Sequence, residues 1–189
     1  MAKRIEFVCT ANNGKSPVAL AVARNYVGKN ENYALSSTGT MVDVITRSDG
    51  NQLSKYLNQF LSDAYERNIL STKEVENLEK NPRGILEKFL RNERTNRDRY
   101  LTGIGLEFVD YPNQTHAIEG GGIIACIGDS NLKRVREIYN CSDHSPRIIN
   151  LMGEEYPDVS NQWVLTYDEF RDVARVVREN TIRLIELDK

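Results

Sequence analysis

The segment IEFVCTANNGKSPVALAVARNYV, Ile5 to Val27, constrains this chain more than any other. A β-branched and aromatic run stops at Cys9, and small polar residues lead through Gly14, Lys15, Ser16 and Pro17. Val18, Ala21, Val22 and Tyr26 then recur at helical spacing. The pattern predicts a strand, a loop and a helix, with Ser16 as N-cap, Pro17 in the first helical position and Gly28 as the stop.

The same alternation returns downstream. YALSSTGT reads as a second strand, GGGIIACIGD as a third, SNLKRVREIY as a helix and PRIINLM as a fourth strand. A long helix closes the chain from Tyr167 to Leu187, with Phe170, Val173, Ala174, Val177, Thr181 and Leu184 on its inward face. Strands alternating with helices imply an α/β fold: a small parallel four-stranded sheet with helices on both faces. Any site then lies at the carboxyl ends of the strands, where Cys9, the end of LSST and Asp129 fall.

Between the second and third strands the texture changes. Leu53, Tyr56, Leu57, Phe60, Leu61 and Ala64 form an amphipathic stripe, Ser71 with Glu74 forms a capping box, and Asn81-Pro82 opens a helix through Ile85 and Phe89. We read residues 49–103 as a helical insertion within a single domain spanning 1–189. The run from Arg83 to Arg99 holds six basic and three acidic residues and reads as a solvated helix face.

A loop that enters a helix N-terminus aims unpaired N–H groups and the positive end of the helix dipole at one spot, so its favoured guest is an anion. Lys15 adds a full charge. The same field stabilises a thiolate at Cys9, with Ser16 placed to donate a hydrogen bond to the sulfur. Two phosphate loops share these letters. The Walker pattern fits Gly14-Lys15-Ser16 but would need glycine at Cys9; the Cys-x5-Arg-Ser loop fits Cys9 and Ser16 but finds lysine at position 15. A lone cysteine at a strand end is also often just a small buried hydrophobe.

Composition narrows the partners. A net charge of −2 argues against a general nucleic-acid binder, and no apolar run approaches the roughly 20 residues of a membrane helix. Cys9, Cys126 and Cys141 form no CxxC pair and MAKRIEFV lacks the layout of a signal peptide, so the expected setting is the cytoplasm. His116 and His144 lack ligand spacing.

FVCTANNGKSP resembles the opening FVCxGNxCRSP of the low-molecular-weight protein tyrosine phosphatases and their arsenate-reductase relatives, with Phe7, Val8, Cys9, Asn12, Ser16 and Pro17 matching. LSSTGT is similar to their second strand, and IIACIGDSNLKRV to their third strand with its helix start at Asp129, Ser130, Asn131 and Leu132. EEYPDV resembles the segment that holds their aspartate general acid, which points to Asp158. The segments fall in family order over Lys3 to Thr40 and Gly120 to Leu187.

The resemblance implies a phosphomonoesterase with a cysteinyl-phosphate intermediate and no cofactor or metal. Cys9 would attack phosphorus, and Asp158 would act as acid and then as base. Lys15 would stand at the position of the catalytic arginine. Thr10, Ala11, Asn12, Asn13, Gly14, Lys15 and Ser16 would form the phosphate-binding loop, its shape held by Asn12. Expected partners are a phosphorylated protein or small phosphomonoester, and inorganic phosphate or a similar oxyanion, with no nucleic acid or membrane.

The departures matter as much. Lysine offers one mobile charge where arginine offers a planar fork, so weak activity is expected. Ala11 replaces a glycine and would be strained if that position needed positive φ. Gly14 replaces a second loop cysteine, and Trp163 is the available aromatic wall for the substrate slot. Two alternatives follow: a catalytically impaired phosphate- or phosphoprotein-binding module, and an arsenate reductase-like oxyanion reductase using Cys126 or Cys141, although the buried-strand pattern around Cys126 favours a structural role.

Overall fold

The structure, a computed structural model, describes residues 2–108, 115, 122–139, 146–153 and 162–188. Its sheet is built from β1 (Lys3–Cys9), β2 (Tyr33–Gly39), β3 (Ile123–Cys126) and β4 (Arg147–Asn150), all parallel, in the order β2-β1-β3-β4. Helix α1 (Lys15–Val27) follows β1. Five helices follow β2: α2 (Val42–Arg47), α3 (Gly50–Asn58), α4 (Leu61–Glu66), α5 (Thr72–Glu76) and α6 (Pro82–Gly103). Helix α7 (Asp129–Tyr139) lies between β3 and β4, and a 3-10 turn (Gln162–Val164) precedes α8 (Tyr167–Leu187).

Alternation along β1 sets the layers, since successive side chains of a strand point to opposite faces. Ile5, Phe7 and Cys9 enter a core formed with α1 and α8, where Ala19, Leu20, Phe170, Ala174 and Val177 are fully buried. Val8 turns the other way, to Ile124, Cys126 and the α7 residues Val135 and Tyr139. A third cluster joins α3, α4 and α6 to the chain before α8 through Leu53, Leu57, Phe60, Phe89 and Trp163. Helix α6 ties these layers together, with Ile85, Leu86 and Phe89 in the third cluster and Tyr100 and Leu101 in the first.

The expected strands are present, and the last helix has the expected bounds. Two expectations are corrected, the Ser16 cap and the solvated face of α6. Helix α1 begins at Lys15 with Gly14 in the cap position, and Ser16 is not the N-cap because its hydroxyl is used inside the loop. The stripe from Leu53 to Ala64 crosses two short helices, with Phe60 at the junction. The run from Arg83 to Arg99 is not simply a solvated face, since Glu93, Asn96 and Arg97 are buried. Helix α2 had no counterpart in the sequence reading, whereas α6 ends at Gly103, the bound given to the helical insertion.

The expected capping box of Ser71 and Glu74 is formed on α5, and Thr166 with Glu169 forms a second on α8. At α8 the Thr166 amide donates to the Glu169 carboxylate at 2.8 Å, and the Glu169 amide donates back to the Thr166 hydroxyl. The Arg67 side chain, with help from Thr166, holds the Glu169 carboxyl down at about 2. Thr166→Ala is expected to cost about 1 kcal/mol in urea unfolding at neutral pH. A depressed native pKa stabilises above the ordinary carboxylate range and is lost as pH falls toward 2, so the cost should shrink at pH 3.

Candidate active site

The loop between β1 and α1 sits at the carboxyl edge of the sheet, as the strand order requires, and is held from three sides. From β2, Asn12 Nδ2 donates to the Ser37 carbonyl at 3.1 Å, and the Thr40 and Met41 amides donate to the carbonyls of Cys9 and Thr10 at 2.9 Å each. Gly39 must lack a side chain here, because a Cβ would lie 2.7 Å from both Asn12 N and Thr10 O. From α7, Asn131 Oδ1 accepts from the hydroxyls of Thr40 at 2.7 Å and Thr10 at 3.4 Å. From α6, Arg97 donates to the Asn13 carbonyl at 2.9 Å.

Ser16 Oγ lies 3.0 Å from Cys9 Sγ, 3.0 Å from Asn12 Oδ1 and 3.2 Å from the Thr38 carbonyl. Its one proton can thus serve either the sulfur or the loop frame. Asn12 takes φ of +49°, which its side-chain hydrogen bonds hold in place. Ala11 is not strained: Asn12 and Asn68 are the positive-φ non-glycine residues among those described.

Helix α6 contributes what the sequence reading missed. Glu93 is 1% exposed and lies against Gly14, where an added Cβ would overlap its carboxylate and come within 2.6 Å of its Cγ. Asn13 Nδ2 donates to Glu93 Oε2 at 3.1 Å. Burial pushes the Glu93 carboxyl up, while Lys15, the Asn13 amide and Arg97 pull it back. Lys15 is itself only 1% exposed. Burying an ammonium is expensive without an opposite charge, and an ionised Glu93 would supply that charge. The signal was helical spacing: Phe89, Glu93 and Arg97 are successive i,i+4 positions on one face.

The other sequence-derived residues divide cleanly. Cys9, Ala11, Asn12, Asn13, Gly14, Lys15 and Ser16 are buried in the loop, and Thr10 is half-buried. Trp163 does not wall an open slot; it is fully buried with ring centroids 5.4 Å from those of Tyr56 and Phe60. Cys126 points away from Cys9, across the sheet, and burial pushes its thiol up to about 12, so it is not placed as a redox partner. Asp158, Cys141, His116 and His144 lie outside the described residues.

A four-stranded parallel sheet with a Cys-x5-cation-Ser loop after its first strand is the architecture of the low-molecular-weight protein tyrosine phosphatase fold, and the chain has that fold. A low-molecular-weight phosphotyrosine phosphatase from Vibrio cholerae O395 superposes with a TM-score of 0.60 at 16% identity, over 98% of this chain and 95% of that one. A Drosophila arginine phosphatase gives 0.60 at 14% identity, over 98% and 97%. The tyrosine phosphatase Wzb from Escherichia coli K30, in complex with sulphate, gives 0.59 at 10% identity over the whole of both chains. No protein-family model and no curated protein sequence matches the chain. Among the described residues no helix is long and apolar enough to cross a membrane.

Proposed function

We propose that this protein is a cysteine-dependent phosphomonoesterase, one domain over 1–189, whose helical segment at about 49–103 is an insertion that covers the loop. The carrying observation is the Ser16 hydroxyl 3.0 Å from Cys9 Sγ at the entrance to α1. A hydroxyl donor and a helix N-terminus both favour the thiolate over the thiol. The Cys9 thiolate attacks the phosphorus of a phosphorylated protein or small phosphomonoester, and the amides from Ala11 to Ser16 take up the charge of the transferring group. Asp158 protonates the leaving oxygen and then, as base, draws a proton from the water that releases phosphate. Trp163, five residues beyond it in sequence, accepts at its backbone carbonyl from the Asn92 side-chain amide of α6 at 3.1 Å.

The test is turnover of phenyl phosphate and p-nitrophenyl phosphate by the wild type and Asp158→Ala. Loss of a positioned acid costs about 10²–10⁴-fold. The expected loss is larger for phenyl phosphate, because phenolate is the poorer leaving group and needs the proton more. Equal rates for the two proteins would remove Asp158 from the mechanism. A second reading, a binding module without turnover, is favoured by Lys15 being buried beside Glu93. Tight oxyanion binding with no wild-type turnover would select it.

A further inference from the structure

Glu93 raises a question of charge. Its carboxyl group contacts the loop at Gly14 and Asn13, and Lys15 acts on it electrostatically, so an acidic group stands in part of the cradle proposed for phosphate. We propose that Glu93 is the resident counter-ion of the loop, and that a tetrahedral dianion binds there together with one proton, which Glu93 takes up. The proposal rests on the loop being an oxyanion site, the reading given above.

The surroundings of Glu93 decide which group takes the proton. Lys15 faces it from α1, Arg97 from one turn along α6, and the Tyr56 hydroxyl from α3. Arg97 also pairs with Asp98 at 2.7 Å, but Asp98 is exposed, so water screens its charge. Burial and then the charge of Glu93 push Tyr56 up to about 12, so the phenol stays neutral throughout. Lys15 and Arg97 together carry two positive charges against one buried carboxylate. A dianion beside an ionised Glu93 would leave this dry cluster with one net negative charge. With Glu93 protonated it is neutral.

The proton balance is simple. Sulfate enters as a dianion, one proton comes from solvent, and no bond of the sulfate changes. Glu93 then turns from acceptor only to donor as well, because a protonated carboxyl has an O–H to offer. Burial already favours that neutral form, and an arriving dianion adds repulsion in the same direction.

Sulfate is the right probe because it remains a dianion from pH 7 to 9. The protein should be the full chain carrying Cys9→Ser, so that no thiol in the loop titrates over that range. Uptake of one proton makes affinity fall by about tenfold per pH unit, approaching a hundredfold from pH 7 to pH 9. Binding heats measured in buffers of different ionisation enthalpy should report about one proton taken up. Adding Glu93→Gln should reduce the change from pH 7 to 9 to less than about twofold, abolish the proton uptake and tighten binding at pH 9.

Sulfate binding with no proton uptake, or with the same pH slope after Glu93→Gln, overturns the proposal and leaves the loop reading standing. No sulfate binding by either protein at any pH overturns both. If the Glu93→Gln chain does not fold, infrared difference spectra of the Cys9→Ser protein decide. A protonated-carboxyl band growing in with sulfate supports the proposal, and sulfate binding without that band refutes it.

Discussion

Cys9→Ser is expected to abolish phosphomonoester turnover, by about 10⁴-fold or more, while leaving the fold and sulfate binding intact. A serine hydroxyl fits the same space and accepts the same hydrogen bond from Ser16, but it is not ionised at neutral pH and is a far weaker nucleophile than a thiolate. The loop amides, the Asn12 frame and Lys15 are unchanged. The measurement is steady-state hydrolysis of p-nitrophenyl phosphate beside mass spectrometry of acid-quenched protein. The wild type should show a phosphate adduct on the Cys9 peptide and the variant none. Residual turnover near the wild-type rate would mean that Cys9 is a packing residue and that water or another group attacks phosphorus.

Trp163→Ala should be the most destabilising single change in the helical layer. The indole is fully buried among Tyr56, Phe60 and Phe89, with ring centroids 5.4, 5.4 and 6.4 Å away. Deleting a ring of that size costs about 3–5 kcal/mol, from lost burial and from the cavity left behind. The midpoint temperature should fall on the order of 10 °C, at a few degrees per kcal/mol for a chain of this length. Trp163→Phe is the control. Trp163 Nε1 has no hydrogen-bond partner among the described residues, so phenylalanine keeps most of the apolar contact and removes a poorly satisfied polar atom. A loss for phenylalanine as large as that for alanine would place the stabilisation in the N–H and not in the ring.

The parts of this molecule that follow one period were legible in the letters. Helix α8 buries a continuous face at a period of 3.6, and β1 is buried on both faces, as a short apolar run bounded by a turn predicts. The strand ends located the Cys9 loop, and Ser16, expected to donate to the Cys9 sulfur, lies 3.0 Å from it. The six-residue α2 buries only Val42 and Ile45 and offers too short a repeat to read. Glu93, Asn96 and Arg97 escaped for a different reason. Charged and amide residues on a long helix are normally solvated, and only the packing of α6 against a loop distant in sequence turns them inward. The Ser16 cap failed similarly, because a hydroxyl that suits a helix end was claimed by a thiol and an asparagine across the loop.

Gly14, Lys15 and Glu93 have to be inherited as a set. The carboxylate at 93 occupies the volume that any side chain at 14 would fill, and it needs the cation at 15 to be tolerable in a dry interior. Exchanging one member alone therefore meets either a collision or an unbalanced charge. A lineage carrying this triplet can accept a bulkier residue at position 14 only after position 93 has given way, so evolution at the loop is gated by a helical residue 79 positions further along the chain.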